Sequence, residues 1–202
     1  TYGMTETASQ VATLKPQDFL AGNNSNGQVL PHAKIIVKNE IGETLYQNQI
    51  GNISIKANSL SLGYYPDIFN NYESLVTDDL GFFDHQGYLK IVGRSNQKII
   101  TGGENVFPAE VEAAILTTGL VDDICVIGLA DKYWGEVVTA VYVGNYFEVS
   151  REKLLAAIDQ KLSKFKHPKY WLRIESLPRN SQGKINRELL KEIAIQRIGE
   201  EV

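Results

Sequence analysis

Sulfur is nearly absent from this chain: 202 residues include one cysteine, Cys125, and one methionine, Met4. A single thiol excludes a disulfide framework, and its place in the apolar run ICVIGLA predicts a buried, inert side chain in a reducing cytoplasm. No uninterrupted apolar run approaches the ~20 residues that cross a bilayer, and no secretory signal pattern is visible. Positive charge is also scarce. Lys and Arg number 20 against 24 Asp and Glu, a net charge of −4, which argues against nucleic acid or an anionic membrane as partner.

Several catalytic signatures are missing. There is no G-x-S-x-G, C-x-x-C, H-E-x-x-H or G-x-G-x-x-G, and His32, His85 and His167 are scattered without ligand spacing. A metal hydrolase or a dinucleotide-binding fold therefore has little support. SQGKIN (181–186) contains Gly-Lys, but it has neither the spaced glycine nor the Ser/Thr of a phosphate-binding P-loop.

What is present suffices for a core, since 43% of the residues are apolar and 22% charged. AKIIVK (33–38), GNISIKA (51–57) and GYLKIVG (87–93) alternate or are β-branched and are bounded by turn residues, which predicts antiparallel strands. Pro108 followed by AEVEAAILTTG predicts a helix with proline in its first turn and Gly119 as its stop. DDICVIGLAD (122–131) and EVVTAVYVG (136–144) predict two more strands. SREKLLAAIDQKL (150–162) predicts a helix capped by Ser150, with Leu154, Leu155, Ile158 and Leu162 on one face. A short strand WLRIE (171–175) and a helix INRELLKEIAIQRI (185–198) follow. The fold class expected is α+β: an antiparallel β-rich segment over 1–95, then a small α+β domain over 96–202, with the boundary near GRSNQK (93–98).

Five polar stretches stand between these elements, and each taken alone has an ordinary structural reading. TYGMTE (1–6) is a strand-to-turn segment with capping threonines, and GYYPD (63–67) is a turn. TDDLGFFDHQGYLKIVGRS (77–95) carries Asp78, Asp79 and Asp84 as turn or solvent-facing carboxylates. TGGENVFPAEVE (101–112) is a glycine turn feeding a helix, and PRNSQGKINR (178–187) is a polar loop.

In this order, over nearly the whole chain, the five resemble the C-terminal part of the adenylate-forming acyl-CoA ligase superfamily. The family patterns are Y-G-x-T-E, G-Y, T-G-D-L-G, G-R-x-x-x-x-I-x-x-G-G-E-N-x-x-P-x-E-V-E and P-x-x-x-x-G-K-x-x-R. Within the family, TETASQ and GRSNQKIITGGENVFPAEVE look most like the branch that acts on 2-succinylbenzoate in menaquinone or phylloquinone biosynthesis. The resemblance implies a two-step reaction: a small carboxylic acid joins ATP with release of pyrophosphate, and the acyl group then passes from the acyl-adenylate to the thiol of CoA.

The resemblance assigns roles residue by residue. Tyr2 and Gly3 would lie at adenine, Tyr2 stacking on its face, and Thr5 would meet phosphate. Glu6 would hold Mg²⁺, a hard cation that prefers oxygen. Asp79 would accept from the two ribose hydroxyls, with Arg94 beside it. Lys184 would be the catalytic lysine that stabilises charge gathering at the α-phosphate. Gly102, Gly103 and Trp134 would lie near the CoA arm, and Asn96 would be the hinge on which a mobile C-terminal lid rotates between the two steps. Two positions depart from the family pattern: Asp78 stands where glycine is usual, and Asn96 where Asp or Lys is usual.

The family's phosphate loop and most of its acyl pocket precede Y-G-x-T-E, and the sequence starts at Thr1 without an initiator methionine. The expectation is a C-terminal fragment, inactive by itself without the N-terminal domain of its parent. Alternatives are a ligase for another aryl or fatty acid, a peptide-synthetase-like adenylation domain serving a carrier protein, and a binding or regulatory module that kept the fold.

Overall fold

The computed structural model describes residues 1–68, 74–144 and 150–201. The chain divides into two compact units, Thr1–Asn96 and Gln97–Val202.

The first unit is built almost wholly of antiparallel strands. In chain order these are β1 (Tyr2–Gly3), β2 (Gln10–Thr13), β3 (Gln28–Val29), β4 (Ala33–Lys38), β5 (Gly51–Ala57), β6 (Gly63–Tyr64), β7 (Asp67–Ile68), β8 (Leu75–Phe83) and β9 (Leu89–Arg94), with one short helix, α1 (Pro16–Leu20), after β2. They form sheets ordered β1-β2-β3, β4-β5-β8-β9 and β6-β7. In β4 the alternation of the sequence is reproduced: Ile35 and Val37 are buried while Lys34 stands in solvent. Ile35 packs with Ile53 and Ile55 of β5, Leu89 of β9 and Val11 and Ala12 of β2 into one apolar core.

Strand β8 was hidden in the sequence. Asp78, Asp79 and Gly81 have poor strand propensity, so the stretch looked like turns with solvent-facing carboxylates. Pairing with β5 on one side and β9 on the other overrides that preference, and Asp79 is buried.

The second unit has mixed content, as expected of an α+β fold: β10 (Ile99–Thr101), β11 (Glu104–Val106), α2 (Pro108–Leu116), β12 (Asp123–Asp131), β13 (Gly135–Val143), α3 (Arg151–Ile158), β14 (Tyr170–Arg173) and α4 (Arg187–Glu201). The sheet runs β11-β10-β13-β12, with β14 parallel on β13. Side chains alternate across β12. Ile124 and Val126 join Val111 and Ile115 of α2 and Leu154 and Ile158 of α3, while Cys125, Ile127 and Leu129 join Leu190 and Ala194 of α4. Burial on both faces is the reason DICVIGLAD reads as a near-continuous apolar run.

Ser150 caps α3, its side chain accepting from Lys153 N. The helix ends at Ile158, one turn before the sequence pattern does; Leu162 is nonetheless buried against the same cluster. The stretch TGGENV forms a hairpin in addition to the expected glycine turn. No helix among the described residues is long and apolar enough to cross a membrane.

Candidate functional site

Asp79 is 7% exposed, and strand pairing sets its surroundings. It lies directly opposite Arg94 in the β8–β9 ladder, so opposite charges meet across the strands, with Arg94 Nε 3.0 Å from Asp79 Oδ1. Tyr2, on β1, donates its hydroxyl to the other carboxylate oxygen, Oδ2, at 2.8 Å. Thr77 pins the strand from below, donating to the Ile53 carbonyl and accepting from Asp79 N. Each carboxylate oxygen thus has one partner and keeps lone-pair capacity for another.

The ring of Tyr2 lies within the apolar core, 8% exposed. It is the hydroxyl that reaches Asp79. Burial, reinforced by the hydrogen bond to Asp79, raises the Tyr2 hydroxyl pKa above its usual 10.0. The sequence pattern suggested a stacking ring; the structure places a positioned phenol there.

Glu6 sits in a single 3-10 turn, Thr5–Thr7. Buried Thr7 fixes that turn by accepting from Met4 N at 3.0 Å and donating to the Ser9 carbonyl at 2.6 Å. Thr5 is exposed on the same turn, and Gly3 pairs with Gln10 of β2. The Tyr64 hydroxyl donates to Glu6 Oε1, which raises the Tyr64 pKa. Glu6, Asp79 and Arg94, distant in sequence, line one cavity of about 240 Å³ together with Met4, Thr77 and Asp78.

Among the described residues no cluster of three His, Cys, Asp or Glu could cage a metal. Mg²⁺ is ordinarily held by one or two carboxylates while phosphate oxygens and water complete its shell. Glu6, one of the carboxylates lining the cavity, fits that donor set. The two departures from the family pattern meet: Asn96 Nδ2 donates to Asp78 Oδ2 at 3.2 Å.

In the second unit, Gly102 and Gly103 are the two turn residues between β10 and β11, with φ of 58° and 85°. Both positive angles are those of a tight hairpin turn, which glycine adopts without strain. A Cβ on Gly102 would come 2.8 Å from the Trp134 ring, so the glycine is required twice over. Pairing of Thr101 with Gly135 brings this turn beside Trp134, a residue 55% exposed. Asp131 holds the Trp134 turn, accepting from Lys169 Nζ at 2.8 Å and from the N–H groups of Tyr133 and Trp134. These three influences, Lys169 the largest, lower the Asp131 carboxyl to about 2.

Lys184 lies in a tight polar loop of the second unit. Its backbone is bound on both sides, the N–H by Asn180 Oδ1 at 2.9 Å and the carbonyl by Asn180 N at 2.8 Å. Its side chain is exposed, with no partner among the described residues. Sequence alone assigned no role to Thr7, Tyr64, Thr77 or Asn180, although Tyr64 and Thr77 stand in the G-Y and T-G-D-L-G stretches. Their types are common in loops and strands, and only the contacts reveal them.

The family model for the AMP-binding enzyme C-terminal domain matches residues 110–184. The chain is 37% identical over 194 residues to the uncharacterized acyl–CoA ligase YhfT of Bacillus subtilis (strain 168), covering 94% of this chain and 39% of that protein. It is 37% identical over 195 residues to the 2-succinylbenzoate–CoA ligase of Oceanobacillus iheyensis, covering 94% and 40%. Among solved structures, o-succinylbenzoate CoA synthetase from Bacillus subtilis, in complex with the acyl-adenylate intermediate OSB-AMP, matches with a TM-score of 0.87 and 35% identity, covering 94% and 40%. The chain spans about two fifths of the length of the curated relatives it matches.

Proposed function

We propose, from the match of residues 110–184 to the AMP-binding enzyme C-terminal domain, that this chain is the C-terminal portion of an AMP-forming acid–thiol ligase whose acid is 2-succinylbenzoate. In that reaction the carboxylate attacks the α-phosphate of ATP and pyrophosphate leaves. The thiol of CoA then attacks the acyl carbon of the acyl-adenylate, and AMP leaves.

The observation that carries this reading is the convergence of Glu6, Asp79 and Arg94 on one cavity. A ribose presents two neighbouring hydroxyl donors, and the Asp79 carboxylate, held by Tyr2 and Arg94, has acceptor capacity left for them. Glu6, steadied by Tyr64, would hold Mg²⁺, which would neutralise phosphate charge when bound. Thr5, on the same turn and exposed, is the hydroxyl for phosphate, and Gly3 lets the chain pass close by.

Lys184 supplies a mobile positive charge to the α-phosphate. The Gly102–Gly103 turn beside Trp134 is a surface for the narrow arm of CoA. In this reading the first unit is the end of a larger nucleotide-binding domain, and the second is a mobile lid hinged at Asn96. The buried thiol of Cys125 is in keeping with a cytoplasmic protein.

YhfT, a relative equally identical over the chain, favours a second reading in which the acid differs. One experiment separates them. In the full-length protein, pyrophosphate exchange into ATP is measured with 2-succinylbenzoate and with a panel of aryl and fatty acids; a preference for a fatty acid overturns the substrate assignment. Lys184→Ala should slow exchange by roughly 10²–10³-fold, while CoA transfer from preformed acyl-adenylate changes far less. Equal loss in both steps would contradict the role given to Lys184.

A further inference from the structure

We propose that Glu112 and Arg187 are positioning residues that set the place of Lys184, a role that rests on the ligase reading above. Both lie in stretches carrying the family pattern, PAEVE and GKINR, and neither is in an apolar cluster of the second unit.

The starting point is an exposed sheet edge. Strand β12 ends the sheet, so among the described residues its outer backbone groups have no strand partner. At Val126 two side chains replace that partner. Val126 N donates to Glu112 Oε1 at 2.8 Å, and the Val126 carbonyl accepts from Arg187 Nη1 at 2.6 Å. Arg187 Nη2 donates to the same Glu112 oxygen at 2.9 Å, which closes the ring. Helix α2, strand β12 and the first residue of α4 are thereby joined by three hydrogen bonds, each with a charged partner. The two side chains are only 23% and 19% exposed, so water screens the ring weakly.

Arg187 is three residues beyond Lys184, and the other end of the loop is tied to the same strand. Arg179 Nη2 donates to Asp123 Oδ2 at 2.6 Å, and Arg179 Nη1 donates to the Gly183 carbonyl at 2.9 Å. An isolated bridge pairs Arg179 with Ile185, and Asn186 N donates to the Pro178 carbonyl. Both ends of the loop are thus anchored on β12 and its backbone is closed by Asn180, while the ammonium of Lys184 is left free. A charge that must meet a phosphate at one defined place benefits from such a mount, because side-chain freedom then costs little accuracy.

The test uses the full-length protein and the two half-reactions measured separately. Glu112→Ala and Arg187→Ala should each slow pyrophosphate exchange about 10- to 100-fold, the effect of misplacing a catalytic group by an ångström or so. CoA transfer from preformed acyl-adenylate should change less than about threefold, since Lys184 does not act there. Arg187→Lys keeps the charge but cannot bridge two acceptors in a fixed fork, and should recover only part of the loss. In a Lys184→Ala background, Glu112→Ala should have no further effect on exchange. Amide exchange at Gln182, Gly183 and Lys184 should quicken in Glu112→Ala.

Parallel loss in both half-reactions, or additive effects with Lys184→Ala, would show a merely structural clamp and overturn the proposal. Unchanged adenylation in a folded Glu112→Ala would do the same. Lys184→Ala with normal adenylation would sink the role given to Lys184, and with it this proposal, whereas a wild-type full-length protein that neither exchanges pyrophosphate nor transfers an acyl group to CoA would sink the ligase reading on which it rests.

Discussion

Tyr2→Phe removes one oxygen and leaves the packed ring in place. The lost hydroxyl donates at 2.8 Å to Asp79, a carboxylate that is itself 7% exposed. Arg94 remains at 3.0 Å on the other oxygen, but its side chain is 56% exposed, so water weakens that pair and it cannot substitute for the lost donor. Hydrogen bonds to charged groups contribute about 1.5–3 kcal/mol net, and the apolar Phe ring recovers part of this by removing a buried hydroxyl. The expected loss of stability is therefore about 1–2 kcal/mol, read from the urea midpoint at unchanged slope.

The same substitution frees Asp79 to rotate. In the full-length protein the KM for ATP in pyrophosphate exchange should rise about 5- to 10-fold, since a loss near 1 kcal/mol in ribose binding is a factor of this order. A pH arm adds a signature. The Tyr2 pKa is raised on folding, so its contribution is complete below pH 10 and is lost as pH rises beyond that value. The stability gap between wild type and Tyr2→Phe should narrow above pH 10. A midpoint unchanged within about 0.3 kcal/mol, together with an unchanged KM, would refute the coupling of Tyr2 to Asp79.

Two further outcomes are expected. Burial pushes the Cys125 thiol up to about 12, so a thiol reagent at pH 8 should label well under about a tenth of native protein and one equivalent after unfolding; rapid native labelling would contradict the packing. The Asp131 carboxyl is lowered to about 2 from 3.8, so its hold on the Trp134 turn is complete above pH 3.8 and lost as pH falls toward 2. Trp134 fluorescence, followed in a Trp171→Phe background, should shift over that window and should sit near the acid value at pH 7 in Asp131→Asn. A signal insensitive to both changes would rule out this role for Asp131.

The strongest periodicities survived the passage to three dimensions. GNISIKA carries isoleucine at period two, AKIIVK carries three β-branched residues in a row, and Pro108 opens a helix that buries Val111 and Ile115. These patterns are local, and each is satisfied by any partner that covers its apolar face. The nine-residue strand around Asp79 was not legible, because its own residues disfavour a strand and its neighbours on both sides impose one. The candidate site was half legible. The types of Glu6, Asp79, Arg94 and Lys184 stood out in their motifs, whereas the residues that hold them are ordinary in composition.

Composition and order of motifs were thus enough, by themselves, to determine the α+β class, the inert thiol and the candidate charged groups, since these depend on residue type and short-range period. Tertiary structure alone decided that the Tyr2 hydroxyl meets Asp79 from 77 residues away and that Glu112 meets Arg187 across 75. No local preference encodes such a pairing. It exists because β1 and β8 share one sheet-built unit, and because the open edge of β12 requires donors and acceptors that only side chains from α2 and α4 are placed to supply.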